Sequence, residues 1–416
     1  MISNLNHGEI CGCHYATRQP IRLRWHNGII THTDPAALAS SSSIHQSINP
    51  PLHHSTAPSQ HHPTTPTDWL APPLFDLQIN GYAGVDFQQD NLSMDDLLSA
   101  ARGLRAAGCA RFLLTLITDD WPKLTARLRR LRSLRSQSAE LQCAIVGWHV
   151  EGPFLSAEPG YHGAHNPALM RDPAPEHILE LRTITGDDPL LLTLAPERPG
   201  ALPAIELAVS RGIKVSLGHT NASAETLRQA VQAGATGFTH LGNGCPRDLD
   251  RHDNILWRVF ETPGLTVSLI SDRVHVSPPL FRLAHWVLGG DSIYYTTDAM
   301  SAAGAPPGRY TIGSMALEVG PDQIVRQPGK PLFAGSALRP IEGVFRAAQM
   351  LGSPWQEVWP RLSEAPARLM GLRNDLAVGQ PATFCLLKAA GENQLLDPEI
   401  YVSGPKTELI STAASL

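Results

Sequence analysis

Eight short apolar segments recur through the middle of the chain: Leu74 to Ile79, Arg111 to Thr118, Ala144 to Val150, Leu190 to Ala195, Lys214 to Gly218, Gly237 to His240, Thr266 to Ile270 and Ile293 to Thr297. Helix-like stretches fall between many of them, as in SMDDLLSAARGLRAAG, PKLTARLRRLRSLRSQS, ALPAIELAVSRG, SAETLRQAVQAG and PPLFRLAHWVLGG. Strand and helix in alternation predict a parallel sheet, since each helix carries the chain back to the start of the next strand. Eight such strands favour closure into a (β/α)8 barrel of the TIM type over an open doubly wound sheet. The expected fold class is α/β.

At 416 residues the chain exceeds what one core usually supports, so a smaller unit is expected beside the barrel. Near the N-terminus IRLRWHNGII alternates like an antiparallel strand pair around Asn27 and Gly28, and ATFCLLKAA and PEIYVSG read similarly near the other end. Both chain ends are therefore expected to build one small β domain. Between Asp34 and Asp68 the composition turns to Ser, Pro, Thr and His with no strand or helix period, which predicts a mobile insert. The expected organisation is residues 1–33 and 371–416 in the small domain, 34–68 as the insert and 69–370 as the barrel.

A formal charge of −5 with 17% charged residues offers no basic excess to attract nucleic acid. No apolar run is long enough to span a membrane, and the first residues lack the apolar core of a secretory signal. Cys11, Cys13, Cys109, Cys143, Cys245 and Cys385 are scattered without disulfide spacing. A cytoplasmic protein is expected.

A TIM-type barrel gathers the C-terminal ends of its strands on one face, where such folds place their active sites. Glu151, His219, His240, His275 and Asp298 all fall at or just after predicted strand ends. Any one alone has a plainer reading, a solvated carboxylate, a structural imidazole or, for Asp298, a helix N-cap. Together they offer a carboxylate and two imidazoles that can hold a divalent metal with a position left for water, and an Asp that can move a proton. That pattern predicts a metal-dependent hydrolase. His275 and His165 lie in loops, and His162 competes for any role given to His165. His53, His54, His61 and His62 sit in the low-complexity insert, and Cys11, Cys13 and His14 lack a second ligand pair at zinc-finger spacing, so neither set is read as a site.

From about Leu70 to Leu387 the chain resembles the N-acetylglucosamine-6-phosphate deacetylases of the amidohydrolase superfamily. FDLQINGYAGVDF, GWHVEGPFLS, GAHNP, LTLAPE, SLGHTNAS, THLGNG, VHV, TTDAMSAAG, FAGSAL and APARLMGL carry the resemblance in the family's order. It implies an amidohydrolase-type barrel with a small β-sandwich domain drawn from both chain ends. It implies metal ligation by Glu151, His219 and His240, and proton transfer by Asp298. Ala164 and His165 are implied to contact substrate, with His165 near the acetamido group, where it is also expected to be catalytic by stabilising the oxyanion together with the metal. Asn243, Gly244, His275, Ala334 and Gly335 are implied to bind substrate, with Arg251 at the position of a phosphate-binding Arg. Two features depart from the pattern. Gln78 and Asn80 stand where the superfamily commonly has His-x-His, and neutral amides are poor ligands beside imidazole, so one metal per subunit is expected. CPRDLDRHDNILW replaces a more usual Gly-rich motif, leaving Arg247, His252 and Arg273 as alternatives to Arg251.

The resemblance implies hydrolysis of N-acetyl-D-glucosamine 6-phosphate to glucosamine 6-phosphate and acetate, in amino-sugar metabolism. The cofactor would be one divalent transition metal, with zinc first and iron, manganese or cobalt also compatible. A homodimer is implied too, with no nucleic-acid or membrane partner. Two other readings stand beside this one: another amidohydrolase acting on a related amino-sugar phosphate or a cyclic substrate, and a catalytically silent sugar-phosphate binder. A binder alone would not require both the metal triad and Asp298.

Overall fold

A computed structural model of the protein describes residues 7–35, 68–329, 333–388 and 399–401. Apart from its two ends, the insert expected over residues 34–68 lies outside the described residues, as do its four histidines. The chain divides into two compact units, Pro72–Asn374 and a smaller one from Met1–Ala71 with Asp375–Ser411.

In the smaller unit β1 (His7–His14) pairs antiparallel with β2 (Pro20–His26), and β2 with β3 (Ile29–Pro35). Asn27 and Gly28 join the last two at φ of 50° and 72°, the left-handed pair that a tight hairpin turn requires. Ile21, Leu23 and Trp25 alternate inward along β2, as the two-residue period of a strand dictates. Cys11 and Cys13 lie within β1, opposite Arg22 and Pro20, a strand that sequence reading had not assigned. β4 (Trp69–Ala71) pairs parallel with β1 and therefore belongs to this sheet, not to the barrel in which the sequence boundaries placed it.

The larger unit begins with β5 (Leu74–Ile79), a two-residue hairpin of β6 (Gly81–Tyr82) and β7 (Val85–Asp86), and helix α1 (Met94–Ala106). It continues through β8 (Cys109–Ile117), α2 (Trp121–Ser136), α3 (Ala139–Ala144), β9 (Ile145–Glu151), α4 (Pro175–Thr185) and β10 (Leu190–Leu194). Next come α5 (Ala201–Ser210), β11 (Lys214–Leu217), α6 (Ala224–Gln232), β12 (Gly237–Phe238) and α7 (Ile255–Phe260). The barrel ends with β13 (Thr266–Ile270), α8 (Pro278–Leu288) and β14 (Ile293–Thr296). Its eight strands run in the order β14-β13-β12-β11-β10-β9-β8-β5, all parallel. Each coincides with one of the eight segments expected from sequence. Every residue of β5, β10 and β14 is buried, as befits a parallel sheet covered on both faces. Ser93, Ser223, Asn254 and Ser277 accept backbone N–H groups at the starts of α1, α6, α7 and α8, which fixes where each crossover helix begins.

The first and last strands meet through Asp76. This fully buried carboxylate accepts from Thr296 Oγ1 at 2.5 Å, Thr297 N at 2.8 Å, Thr297 Oγ1 at 2.6 Å and Gln78 N at 3.1 Å. Beyond it Asn80 N donates to Ala299 O at 2.7 Å. After β14 a small antiparallel sheet of β15 (Gly308–Ile312), β16 (Met315–Val319) and β17 (Val325–Arg326) precedes α9 (Pro340–Leu351).

The chain then returns to the smaller unit as β18 (Phe384–Leu387) and β19 (Glu399–Tyr401), giving six strands in the order β19-β18-β4-β1-β2-β3. Ile29 on β3 bridges back to Pro381, just ahead of β18, so the sheet bends over one core of Leu23, Trp25, Ile30, Leu70 and Phe384. Among the described residues no helix is long and apolar enough to cross a membrane.

Candidate active site

Glu151 is the last residue of β9, and His219, His240 and Asp298 each lie two residues beyond a strand, after β11, β12 and β14. The backbones of His219, His240 and Asp298 are left-handed, with φ of 50°, 31° and 52°. Residues with a Cβ rarely adopt this conformation, and where they do it is often at working sites that the surroundings hold in place.

Glu151 is buried and ringed by imidazoles. His240 Nε2 lies 3.0 Å from its Oε1, His219 Nε2 3.6 Å from the same oxygen and His165 Nε2 3.6 Å from Oε2. Ligand atoms of Glu151, His165 and His219 all fall within 4.8 Å of one another. Burial opposes the charge on Glu151, yet hydrogen bonds and charge from His219 and His240 hold its carboxyl well below the usual range. His240 is shifted upward: burial disfavours its cation, but the hydrogen bond and charge of Glu151 outweigh it. His165 is pushed down to about 3 by burial and by the charge of His219, so it is neutral and its approach to Glu151 is no ion pair.

This donor set suits a divalent transition metal. His219 Nδ1 meets the Tyr161 carbonyl at 2.9 Å and donates to it, which leaves Nε2 free as a ligand, and His165 Nδ1 is tied to Thr118 Oγ1 at 2.9 Å. Among the described residues His240 Nδ1 is buried without a hydrogen-bond partner. Sequence reading gave His165 to the substrate and to stabilising the oxyanion, and did not count it among the metal ligands, whereas its ring stands as close to Glu151 as that of His219.

Asp298 is reached by two amides. Gln78 Nε2 donates to its Oδ1 at 2.9 Å and Asn80 Nδ2 to the same oxygen at 2.7 Å. Gln78 Nε2 also lies 3.1 Å from each oxygen of Glu151, so one side chain spans both carboxylates. Burial and then the charge of Glu151 push Asp298 up to about 7.

The other expected residues fall into two groups. His275 Nδ1 is 2.6 Å from Asp272 Oδ2, and His275 is near enough for its charge to act on Asp298. Ala334 and Gly335 lead into Ser336, whose N–H donates to Asp298 O at 2.8 Å. Asn243 N donates to His240 O at 2.9 Å, and a Cβ on Gly244 would stand 2.8 Å from His219 Nδ1. Ala164 is half-buried beside His165 and packs against the cluster around Met300. Arg251, by contrast, is exposed, and among the described residues it offers only its carbonyl, which accepts from Trp257 Nε1 at 3.2 Å.

Sequence reading missed Asp272, the orienting partner of His275. It also missed Gly163, where an added Cβ would meet His219 Cε1 at 2.9 Å. The Asp-x-x-His spacing was a usable signal for the first, and nothing local marks the second.

No protein-family model matches the sequence. The chain is 30% identical over 307 residues to the N-acetylglucosamine-6-phosphate deacetylase of Vibrio furnissii, covering 74% of this chain and 75% of that protein. It is 30% identical over 335 residues to the N-acetylgalactosamine-6-phosphate deacetylase of Escherichia coli O157:H7, covering 80% and 86%. A solved structure of a mutant N-acetyl-D-glucosamine-6-phosphate deacetylase from Mycobacterium smegmatis, in complex with N-acetyl-D-glucosamine-6-phosphate, superposes with a TM-score of 0.80 at 27% identity, covering 96% and 98%. With the barrel, the small sheet and the Glu151 cluster described above, these likenesses establish that the chain belongs to the N-acetylglucosamine-6-phosphate deacetylase family of the amidohydrolase superfamily.

Proposed function

We propose that the protein hydrolyses the acetamide of N-acetyl-D-glucosamine 6-phosphate, giving D-glucosamine 6-phosphate and acetate. The observation that carries this reading is Asp298, a half-buried carboxyl pushed up to about 7 and joined through Gln78 to Glu151 and its three imidazoles. Glu151, His219 and His240 hold one divalent transition metal per subunit, zinc by preference, with iron, manganese and cobalt also suited to the donors. When bound, the metal polarises the acetyl carbonyl and makes water acidic enough to attack near neutral pH.

Because both amides donate to Oδ1 of Asp298, Oδ2 is the oxygen left to take a proton. It accepts the proton as water adds to the acetyl carbon. As the C–N bond breaks it returns that proton to the departing nitrogen, because an amine anion is a very poor leaving group. His165, neutral and buried, contacts the acetamido group. His275 is held by Asp272 and binds the sugar phosphate together with Ala164, Asn243, Gly244 and the Ala334–Gly335 turn. Arg251 pairs with the phosphate, and its exposure suits a homodimer in which it serves the neighbouring subunit's site. We also infer a cytoplasmic compartment, since the six cysteines are scattered through the sequence without disulfide spacing.

Elemental analysis of the purified protein, followed by acetate release from the 6-phosphates of N-acetylglucosamine and N-acetylgalactosamine, tests the reading. About one metal per chain and faster turnover of the gluco substrate are expected. Faster turnover of the galacto epimer would move the substrate, and acetate release unaffected by chelation would remove the metal from the mechanism.

A further inference from the structure

Glu197 lies three residues beyond β10, in a loop with no expected role. Its side chain spans the gap to the next strand end. Oε2 accepts the hydroxyl hydrogen of Thr220, and Oε1 accepts Asn221 N–H at 2.9 Å. One carboxylate therefore grips the two residues that directly follow His219. Thr220 Oγ1 in turn accepts Ala222 N–H at 2.9 Å, which continues the hold one residue further.

These contacts act on an unfavourable backbone. His219 sits at φ 50°, a conformation it would leave if the following peptides were free to relax. Ser156 N donates to His219 O at 3.0 Å, and the Tyr161 carbonyl takes the Nδ1 hydrogen. Asn221 is secured further by its amide to Glu158 Oε2 at 3.0 Å and by Arg258 NH1 to its Oδ1 at 3.1 Å. Glu158 is exposed, whereas Thr220 is 1% exposed, so of the two carboxylates Glu197 makes the protected contact.

We propose that Glu197 is a positioning residue that fixes the left-handed turn at His219 and so aims its Nε2 at the metal site. It touches neither substrate nor metal and acts only through Thr220 and Asn221. The inference rests on His219 being a ligand, as read above. Outer partners of this kind typically change metal affinity about ten- to a hundred-fold when removed.

The test is metal release to a chelator, measured on the full-length, metal-loaded protein, with the melting temperature of the metal-free form measured alongside. Glu197→Ala is expected to release metal about ten-fold or more faster than wild type. Glu197→Gln keeps one acceptor for Asn221 N–H and should fall between. Thr220→Val removes the hydroxyl without touching Glu197 and should also speed release, and together with Glu197→Gln it decides the matter if Glu197→Ala does not fold. Wild-type release rates in Glu197→Gln and Thr220→Val would overturn the proposal. So would a metal-free melting temperature that drops in Glu197→Ala with no change in release, since that marks a loop-stabilising role only. His219→Ala is the control on the underlying reading: if it binds metal as wild type does, the ligand assignment fails rather than the role of Glu197.

Discussion

Thr297 gives both its backbone N–H and its hydroxyl to Asp76, at 2.8 and 2.6 Å, across the seam where the first and last barrel strands meet. The next residue is Asp298. One buried carboxylate thus ties the closure of the barrel to the placement of Asp298.

Asp76→Ala should therefore be strongly destabilising, because it leaves the donors of Thr296, Thr297 and Gln78 buried and unpaired. Each such group costs about 1–3 kcal/mol. Urea unfolding of the metal-free protein is expected to show a total loss of about 3 kcal/mol or more, with Asp76→Asn milder because one acceptor oxygen survives. A loss below about 1 kcal/mol would show that the backbone bridge at Ala299 closes the seam unaided.

Asp298→Asn retains shape but cannot take the proton. Metal content should stay at the wild-type level while turnover falls about a hundred-fold or more. Near-normal turnover by the fully loaded variant would remove Asp298 from the proton path.

Arg251→Ala should weaken binding of the 6-phosphate substrate while leaving unphosphorylated N-acetylglucosamine little changed, since only the former offers an anion to pair. Comparing KM for the two sugars checks this. Equal losses would shift the phosphate contact toward Arg247, His252 or Arg273.

Acid stability should respond to His285, which lies far along α8 from the strand ends and contacts Tyr295 OH at 3.0 Å. Burial, with help from the charge of Arg361, pushes it from 6.5 down to about 4. Between those values the unfolded chain binds the proton and the folded chain does not, so stability is lost as pH falls from about 6.5 toward about 4. His285→Gln should flatten that part of the stability profile in denaturant titrations. Parallel profiles for the two proteins would show that the acid sensitivity lies elsewhere.

The eight barrel strands were legible because each is a compact apolar run, and even the two hydrogen-bonded residues of β12 were marked by the His that follows them. Helices α4 and α9 were not recognised. Each opens on a proline preceded by Ala174 or Arg339, neither of which caps it, whereas the equally proline-led α8 follows the capping Ser277, so the starts of α4 and α9 carry no helix signal until the apolar face beyond is counted. Glu151, His219, His240 and Asp298 could be picked out because a strand end is a local property. The clamp of Gln78 on Asp298 joins residues 220 apart in sequence, and the grip of Glu197 on Thr220 crosses between two strands. Such pairings carry no local period, so only the folded barrel discloses them.

Gly163 and Gly244 approach the His219 ring from separate loops, and an added Cβ at either would come within 3 Å of it. The imidazole thus works as a shared spacer between the loops that follow β9 and β12. Neither loop can be remodelled for a new sugar without the other sensing the change through that ring. Attempts to redirect specificity should graft the two loops as a pair, keeping both glycines, because exchanging one alone would disturb the metal site proposed at His219 before it altered substrate choice.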